Sequence, residues 1–177
     1  MAMGAMAGAC FALFRVAEAE WRIAALVAGA AFCQLRLLCN LFDGMIAVEG
    51  GRPEDDGAFW NEFPDRVSDI LIFSGLGYGV GALAPGLLAA LLAVMTAYVR
   101  ELGRAAGQEA DFSGPMAKQH RMAAVFAGVA GALAAMPWHA EVTVLRATLG
   151  VVIAGALLTI FRRARKVVKR MKSSPGI

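Results

Sequence analysis

The chain has 177 residues, 59% of them hydrophobic, with a mean hydropathy of +0.61 and a formal net charge of +3. This composition excludes an ordinary soluble domain: long runs of Ala, Gly, Leu and Val belong to helices in lipid, where the backbone must satisfy its own hydrogen bonds. Period-two alternation with aromatic girdles is absent, which argues against a barrel, and the length suits one bundle without a further sizeable soluble domain. The three cysteines, Cys10, Cys33 and Cys39, lack C-x-x-C spacing and lie in apolar surroundings, so they read as reduced, buried thiols.

Met1 to about Val16 is apolar, with no Lys or Arg before Arg15. It lacks the basic start and small-residue cleavage site of a signal peptide, so it reads as a short first membrane helix. A polar turn around Glu18 to Arg22 leads into a second helix, about Glu20 to Phe42, with Asn40 and Asp43 at its far end. Arg36 lies one turn before Asn40 on nearly the same face; it suits either snorkelling to headgroups or a place beside phosphates. Gly50, Gly51, Arg52, Pro53 and Gly57 mark a loop, in which Glu54, Asp55 and Asp56 read as a solvated charge run.

Pro64 suits the first turn of a third helix running to about Ala82. Its S-G-L-G-Y-G-V-G half has no preceding strand, so it is no dinucleotide loop. The Gly75/Gly79 and Gly77/Gly81 pairs instead suit close helix packing or a homodimer contact. A fourth helix spans about Gly86 to Leu102, a polar segment follows from Gly103 to Gly114, and a fifth helix runs from near Pro115 to about Met136. After a Pro137-Trp138-His139 turn, a sixth spans about Val142 to Phe161 and exits into R-R-A-R-K-V-V-K-R-M-K, which holds seven of the 17 Lys and Arg residues. A basic stretch directly after a membrane helix suits anionic lipid and topology better than nucleic acid.

The expectation is therefore an all-α, polytopic membrane protein: a six-transmembrane-helix bundle over residues 1–161 and a basic cytoplasmic tail over 162–177. Six crossings place both termini on one side. The tail, the Gly50 to Asn61 loop and the Arg100 to Arg121 segment share that side, which the positive-inside rule makes cytoplasmic.

Asn40 and Asp43 are three residues apart, Asp65 and Asp69 four apart, so each pair shares a helix face. Two such faces opposed make a cage of oxygen ligands suited to hard divalent cations. Lys118 and Arg121 share a face at the start of the fifth helix, where unpaired N–H groups and the macrodipole also favour an anion. They read either as topogenic charges or, with Arg100, as a site for a substrate phosphate. His120 points to another side of that helix, and His139 reads as a surface residue.

The stretch N40-L-F-D43-G44-M-I-A47-V48, followed by N61-E-F-P-D65-R-V-S-D69, resembles the signature of the CDP-alcohol phosphotransferase family, D-x-x-D-G-x-x-A-R, then G-x-x-x-D-x-x-x-D. Asn40 stands at the first Asp, Val48 at the Arg and Asn61 at the later Gly, and the spacer is longer. The resemblance implies a membrane enzyme of phospholipid biosynthesis that transfers a phosphatidyl group from CDP-diacylglycerol to a small alcohol and releases CMP. It implies Mg2+ or Mn2+ held by Asp43 and Asp65, with Asn40 a neutral ligand through its side-chain oxygen. It further implies Asp69 as general base and near a metal, and cytidine packed near Gly44 and Ala47. Both of these are small, as close backbone approach to a nucleotide requires.

Asn40 removes one negative charge, for which Glu49 or Glu62 could compensate. Val48 removes a fork-like donor that Arg52, Arg66 or Arg36 could replace. The basic cluster favours a phosphorylated acceptor. Two other readings stand beside this one. A non-catalytic lipid-binding or scaffold paralogue is motivated by Asn40 and Val48, and a cation carrier is disfavoured by the absence of inverted repeats with broken helices.

Overall fold

The computed structural model describes the backbone of residues 1–49 and 57–173, and the side chains of residues 1–42, 59–60 and 62–172. Among these residues the secondary structure is wholly helical: α1 (Ala2–Leu13), α2 (Ala19–Glu49), α3 (Gly57–Gly79), α4 (Leu83–Ala105), α5 (Lys118–Ala135), a 3-10 turn (Met136–Trp138) and α6 (Glu141–Ser173).

The principal helix contacts close a ring. α1 lies against α3, α3 against α4, α4 against α6, α6 against α5, α5 against α2, and α2 returns to α1. Phe11, Leu26, Phe73, Leu76, Met122, Val125, Leu145, Leu149 and Val152 fill its interior. The outer faces carry exposed Leu, Val, Ile and Phe, among them Leu38, Leu91, Val151 and Leu157, as lipid contact requires.

Among the described residues, four helices are long and apolar enough to cross a membrane: Ala19–Phe42, Leu83–Ala105, Lys118–Trp138 and Glu141–Lys172. Six crossings are expected; among the described residues there are six α-helices, but α1 and α3 do not meet that description. α1, at 12 residues, is about 18 Å long against a hydrocarbon core of about 30 Å. α3 has the length but carries Glu62, Asp65, Arg66 and Asp69 between its start and its middle turn. Both are packed closely together. A methyl group on Gly75 would overlap the Gly8 carbonyl oxygen, one on Gly79 that of Phe11, and one on Gly77 the Cα of Gly86. The small-residue pairs thus serve packing within this chain, and Gly81, at φ +63°, makes the left-handed turn into α4.

Several boundaries differ from expectation. α2 continues past Phe42 to Glu49, because nothing in D-G-M-I-A-V-E breaks a helix outright. α3 begins at Gly57, not near Pro64, so Pro64 lies inside the helix and the expected loop is shorter. The earlier start is supported by Phe59, whose ring stacks on Phe63 one turn on (5.2 Å between centroids) and meets Trp60 edge-on. α6 runs to Ser173, so most of the basic tail is helix, built from good helix formers with Val167, Val168 and Met171 between charges. The thiols are free, as expected, but only Cys33 is fully buried; Cys10 is half-buried and Cys39 exposed.

Candidate active site

α2, α3, α4, α5 and α6 meet around a cavity of about 390 Å³. Its wall carries Asn40 from α2, Glu62, Asp65 and Arg66 from α3, and Thr96 and Arg100 from α4. Lys118, Gln119 and Arg121 come from α5 and Arg163 from α6, with Phe112 and Ala117 from the preceding loop. Five cationic side chains thus face one space with two carboxylates. That excess of positive charge suits a polyanion such as a phosphate ester or diphosphate.

Asp65 and Asp69 are one turn apart on α3 and share a face, as their spacing predicts. Both are buried, Asp69 at 0% exposure. Every carboxylate oxygen of the pair is engaged. Asp65 Oδ1 accepts from Arg36 Nη2 at 3.0 Å and from Asn40 Nδ2 at 2.8 Å, while Oδ2 pairs with Lys118 Nζ and has Arg66 Nη2 at 3.7 Å. Asp69 Oδ1 accepts from Arg36 Nη1 at 2.9 Å and Oδ2 from Arg121 Nη2 at 2.8 Å. Arg36 also donates to the Asp65 carbonyl at 2.9 Å. Guanidinium groups match carboxylate geometry and hold it rigidly.

Asn40 and Asp65 are therefore brought together, with Asp69 one layer deeper and outside the cavity lining. Asp43, Gly44, Ala47 and Val48 lie on the α2 backbone, but their side chains fall outside the described residues, as do Asn61 and the Glu54–Asp56 run. Among the described residues no three His, Cys, Asp or Glu side chains cluster as a metal site. The donor set fits a hard cation beside Asn40 and Asp65, which present oxygen-bearing side chains to the cavity and where the competing Lys118 side chain is 26% exposed. It does not fit one at Asp69, where both oxygens are held by guanidiniums 3% and 1% exposed.

The cluster expected on a phosphate divides. Lys118 and Arg100 line the cavity, the latter paired with Glu62 and 4.9 Å from the Phe112 ring. Arg121 also borders it but is anchored three ways: to Asp69, to Thr96 Oγ1 at 2.9 Å and to the Met116 carbonyl at 3.0 Å. Arg163, read from sequence only as part of the basic stretch, is buried and donates to the carbonyls of Ser113 and Thr96, both at 2.8 Å. The signal was present: Leu149, Val152, Ala156 and Thr159 are buried at helical spacing, and Arg163 continues that stripe. The loop before α5 is tied to the same helix by Met116 N–H to Thr159 Oγ1 (3.0 Å) and by Asp111 to Lys166 (3.1 Å).

The chain is 28% identical over 157 residues to an archaetidylinositol phosphate synthase of Methanothermobacter thermautotrophicus, covering 88% of this chain and 77% of that one. The same fold is found in two crystal structures of phosphatidylinositol phosphate synthase from Mycobacterium tuberculosis. One, in complex with manganese and citrate, matches with a TM-score of 0.76 at 22% identity, over 99% of this chain and 79% of that one. The other, with CDP-DAG bound, gives 0.75 at 21% identity, over 99% and 89%. No family model matches the chain.

Proposed function

We propose that this chain is a membrane phosphotransferase that moves a phosphatidyl group from CDP-diacylglycerol to a small phosphorylated alcohol, with release of CMP. The observation that carries this reading is the cavity whose lining brings Asn40 and Asp65 together with Arg100, Lys118, Arg121 and Arg163. Its oxygen-bearing side chains suit a cation, and its basic wall suits a diphosphate and an acceptor phosphate. The names of the archaeal relative and the mycobacterial structures support inositol phosphate as the acceptor class.

In the reaction, the acceptor hydroxyl oxygen forms a bond to the phosphatidyl phosphorus, and the bond from that phosphorus to the bridging oxygen breaks. The electron pair leaves with CMP, and the hydroxyl proton passes to a base. Mg2+ or Mn2+, as the manganese-bound neighbour supports, supplies charge neutralisation on the diphosphate. Asn40, Asp43 and Asp65 are the residues we assign to hold it, and Gly44 and Ala47 those beside the cytidine. Arg100, Lys118 and Arg163 orient the acceptor phosphate, and Arg121 stiffens that wall. Asp69 is our assignment for the base. It lies one turn behind Asp65, and proton acceptance requires one of its guanidinium bonds to give way to the acceptor hydroxyl. The site faces the cytoplasm from the inner membrane in this reading, on the charge asymmetry of the loops and α6.

The test is CMP release from CDP-diacylglycerol with Mg2+ or Mn2+ and a panel of inositol phosphate, glycerol phosphate and their unphosphorylated alcohols. Release that depends on a phosphorylated acceptor is expected. Folded protein that releases CMP with none of them would overturn the enzyme reading. It would favour the non-catalytic paralogue, for which the Asn40 and Lys118 bonds to Asp65 are the specific observation.

A further inference from the structure

At the end of the bundle opposite the cavity, two arginines reach the turn that joins α3 to α4. Arg15 comes from just beyond α1 and Arg146 from the second turn of α6. Arg15 Nη1 donates to the Tyr78 carbonyl at 3.4 Å, with its guanidinium carbon 5.2 Å from the centre of the Tyr78 ring. Arg146 Nε donates to the Val80 carbonyl at 2.9 Å. The two guanidiniums converge beside Gly81: a Cβ there would lie 3.3 Å from Arg146 Nη2 and 3.5 Å from Arg15 Nη1. A single phosphate, with oxygens on several sides, can span both.

Among the described residues no carboxylate pairs with either arginine. Glu141 pairs with Arg22 at 3.5 Å, and Glu18 and Glu20 are exposed around the start of α2. Capping the last carbonyls of α3 is a structural duty for both, but it does not balance their charge. The negative end of a helix macrodipole is equivalent to about half a charge, against two positive ones here. Most of the positive charge is left over, on Nη groups beside an exposed glycine. The surroundings have the character of a membrane interface. Tyr78 and Leu83 flank Gly81 and are exposed, and Trp138 is exposed at the same end of the bundle. Such rings sit at headgroup level, and an apolar flank suits acyl chains.

We propose that Arg15 and Arg146 form a phosphate site that holds the headgroup phosphodiester of a membrane lipid, in the leaflet opposite the cavity. The site is remote from the reaction proposed above: Asp65 and Gly79, the last residue of α3, lie about 21 Å apart along the helix axis. The lipid is therefore a structural partner and not a reactant. Its phosphate ties the end of α1, the α3–α4 turn and the start of α6 together. The group recognised is the one that phospholipids share, so the site discriminates phosphate from no phosphate and does not select a headgroup.

Protein stripped of lipid in detergent is titrated with phosphatidylglycerol, whose phosphate carries its only charge, with diacylglycerol of the same chains, and with inorganic phosphate. Native mass spectrometry counts the bound molecules. Arg15→Gln with Arg146→Gln removes both charges. Gly81→Asp instead places a carboxylate beside both guanidiniums, at a left-handed position that Asp tolerates. Binding at the cavity is common to all three proteins and cancels in the comparison. Wild type is expected to hold one phosphatidylglycerol that both variants bind about tenfold or more weakly, since each variant removes charge-assisted hydrogen bonds to it. Diacylglycerol is expected to show no such difference. Equal phosphatidylglycerol binding by wild type and either folded variant would overturn the site. The same difference with diacylglycerol would mean apolar contact without phosphate recognition, and displacement of the lipid by inorganic phosphate would make the occupant a soluble anion. Either result would overturn the lipid assignment.

Discussion

Asp69→Asn is the substitution in which fold and chemistry can be separated. The wild-type carboxylate is fully buried and gives one oxygen to Arg36 and the other to Arg121. An asparagine has one acceptor oxygen, so one guanidinium must face an NH2 group with which it cannot bond. Removing one partner of a buried ion pair costs about 3–5 kcal/mol, because the charge left behind cannot be resolvated. The retained amide oxygen puts the expected cost near the lower end. For a chain of this size, about 3 kcal/mol corresponds to a fall in Tm of roughly 6–12 °C. The chemical loss is separate: general-base assistance contributes about 10²- to 10⁴-fold in rate.

The assay pairs thermal unfolding in detergent with turnover of the fraction that remains folded. The double variant Asp69→Asn with Arg36→Met decides between the two effects, since it leaves Arg121 with the one acceptor oxygen and replaces the orphaned cation with an apolar side chain. It should recover part of the Tm, since Arg36 also bonds Asp65, and none of the turnover. A single variant with wild-type Tm would refute the clamp, and a folded single variant with near wild-type turnover would refute Asp69 as base.

Gly75→Ala should destabilise by about 1–3 kcal/mol, because its methyl group meets the Gly8 backbone and helices packed this closely cannot yield cheaply. Gly150→Ala, in open space on α6, should stabilise by about 0.5–1 kcal/mol; paired thermal scans check both. Burial opposes ionisation of Asp111, but bonds from Ser113 and the Lys166 ammonium outweigh it and bring its carboxyl down to about 2 from an ordinary 3.8. The sign follows: its stabilising contribution is complete above pH 3.8 and is lost as pH falls through about 2. Acid titration of Asp111→Asn should therefore show a shallower loss of stability over that range than wild type. With the native cysteines replaced by serine, single cysteines at positions 111 and 172 should be labelled from the same, cytoplasmic side. Labelling from opposite sides would overturn the topology.

The sequence by itself determined the class, the number of helices and the polar faces. Apolar runs in lipid can only be helices, and residues three or four apart on a helix must share a face. Hence Asn40 and Asp65 were legible as neighbours of one site, and Lys118 as part of its basic wall. Helix ends were read less well: Pro64 looks like a first-turn residue locally, yet the stacked Phe59 and Phe63 carry α3 back to Gly57. What only the tertiary structure decided is which charges face each other. Arg36, Arg121 and Arg163 each look, in sequence, like residues that snorkel, fix topology or meet lipid. Ring closure of the helices turns all three inward, where low dielectric makes an unpaired charge costly and forces each onto a carboxylate or carbonyl. Pairing across α2, α3, α5 and α6 depends on helix rotation and separation, quantities that a one-dimensional spacing does not contain. The cavity, and the clamp around Asp69, exist only once those are fixed.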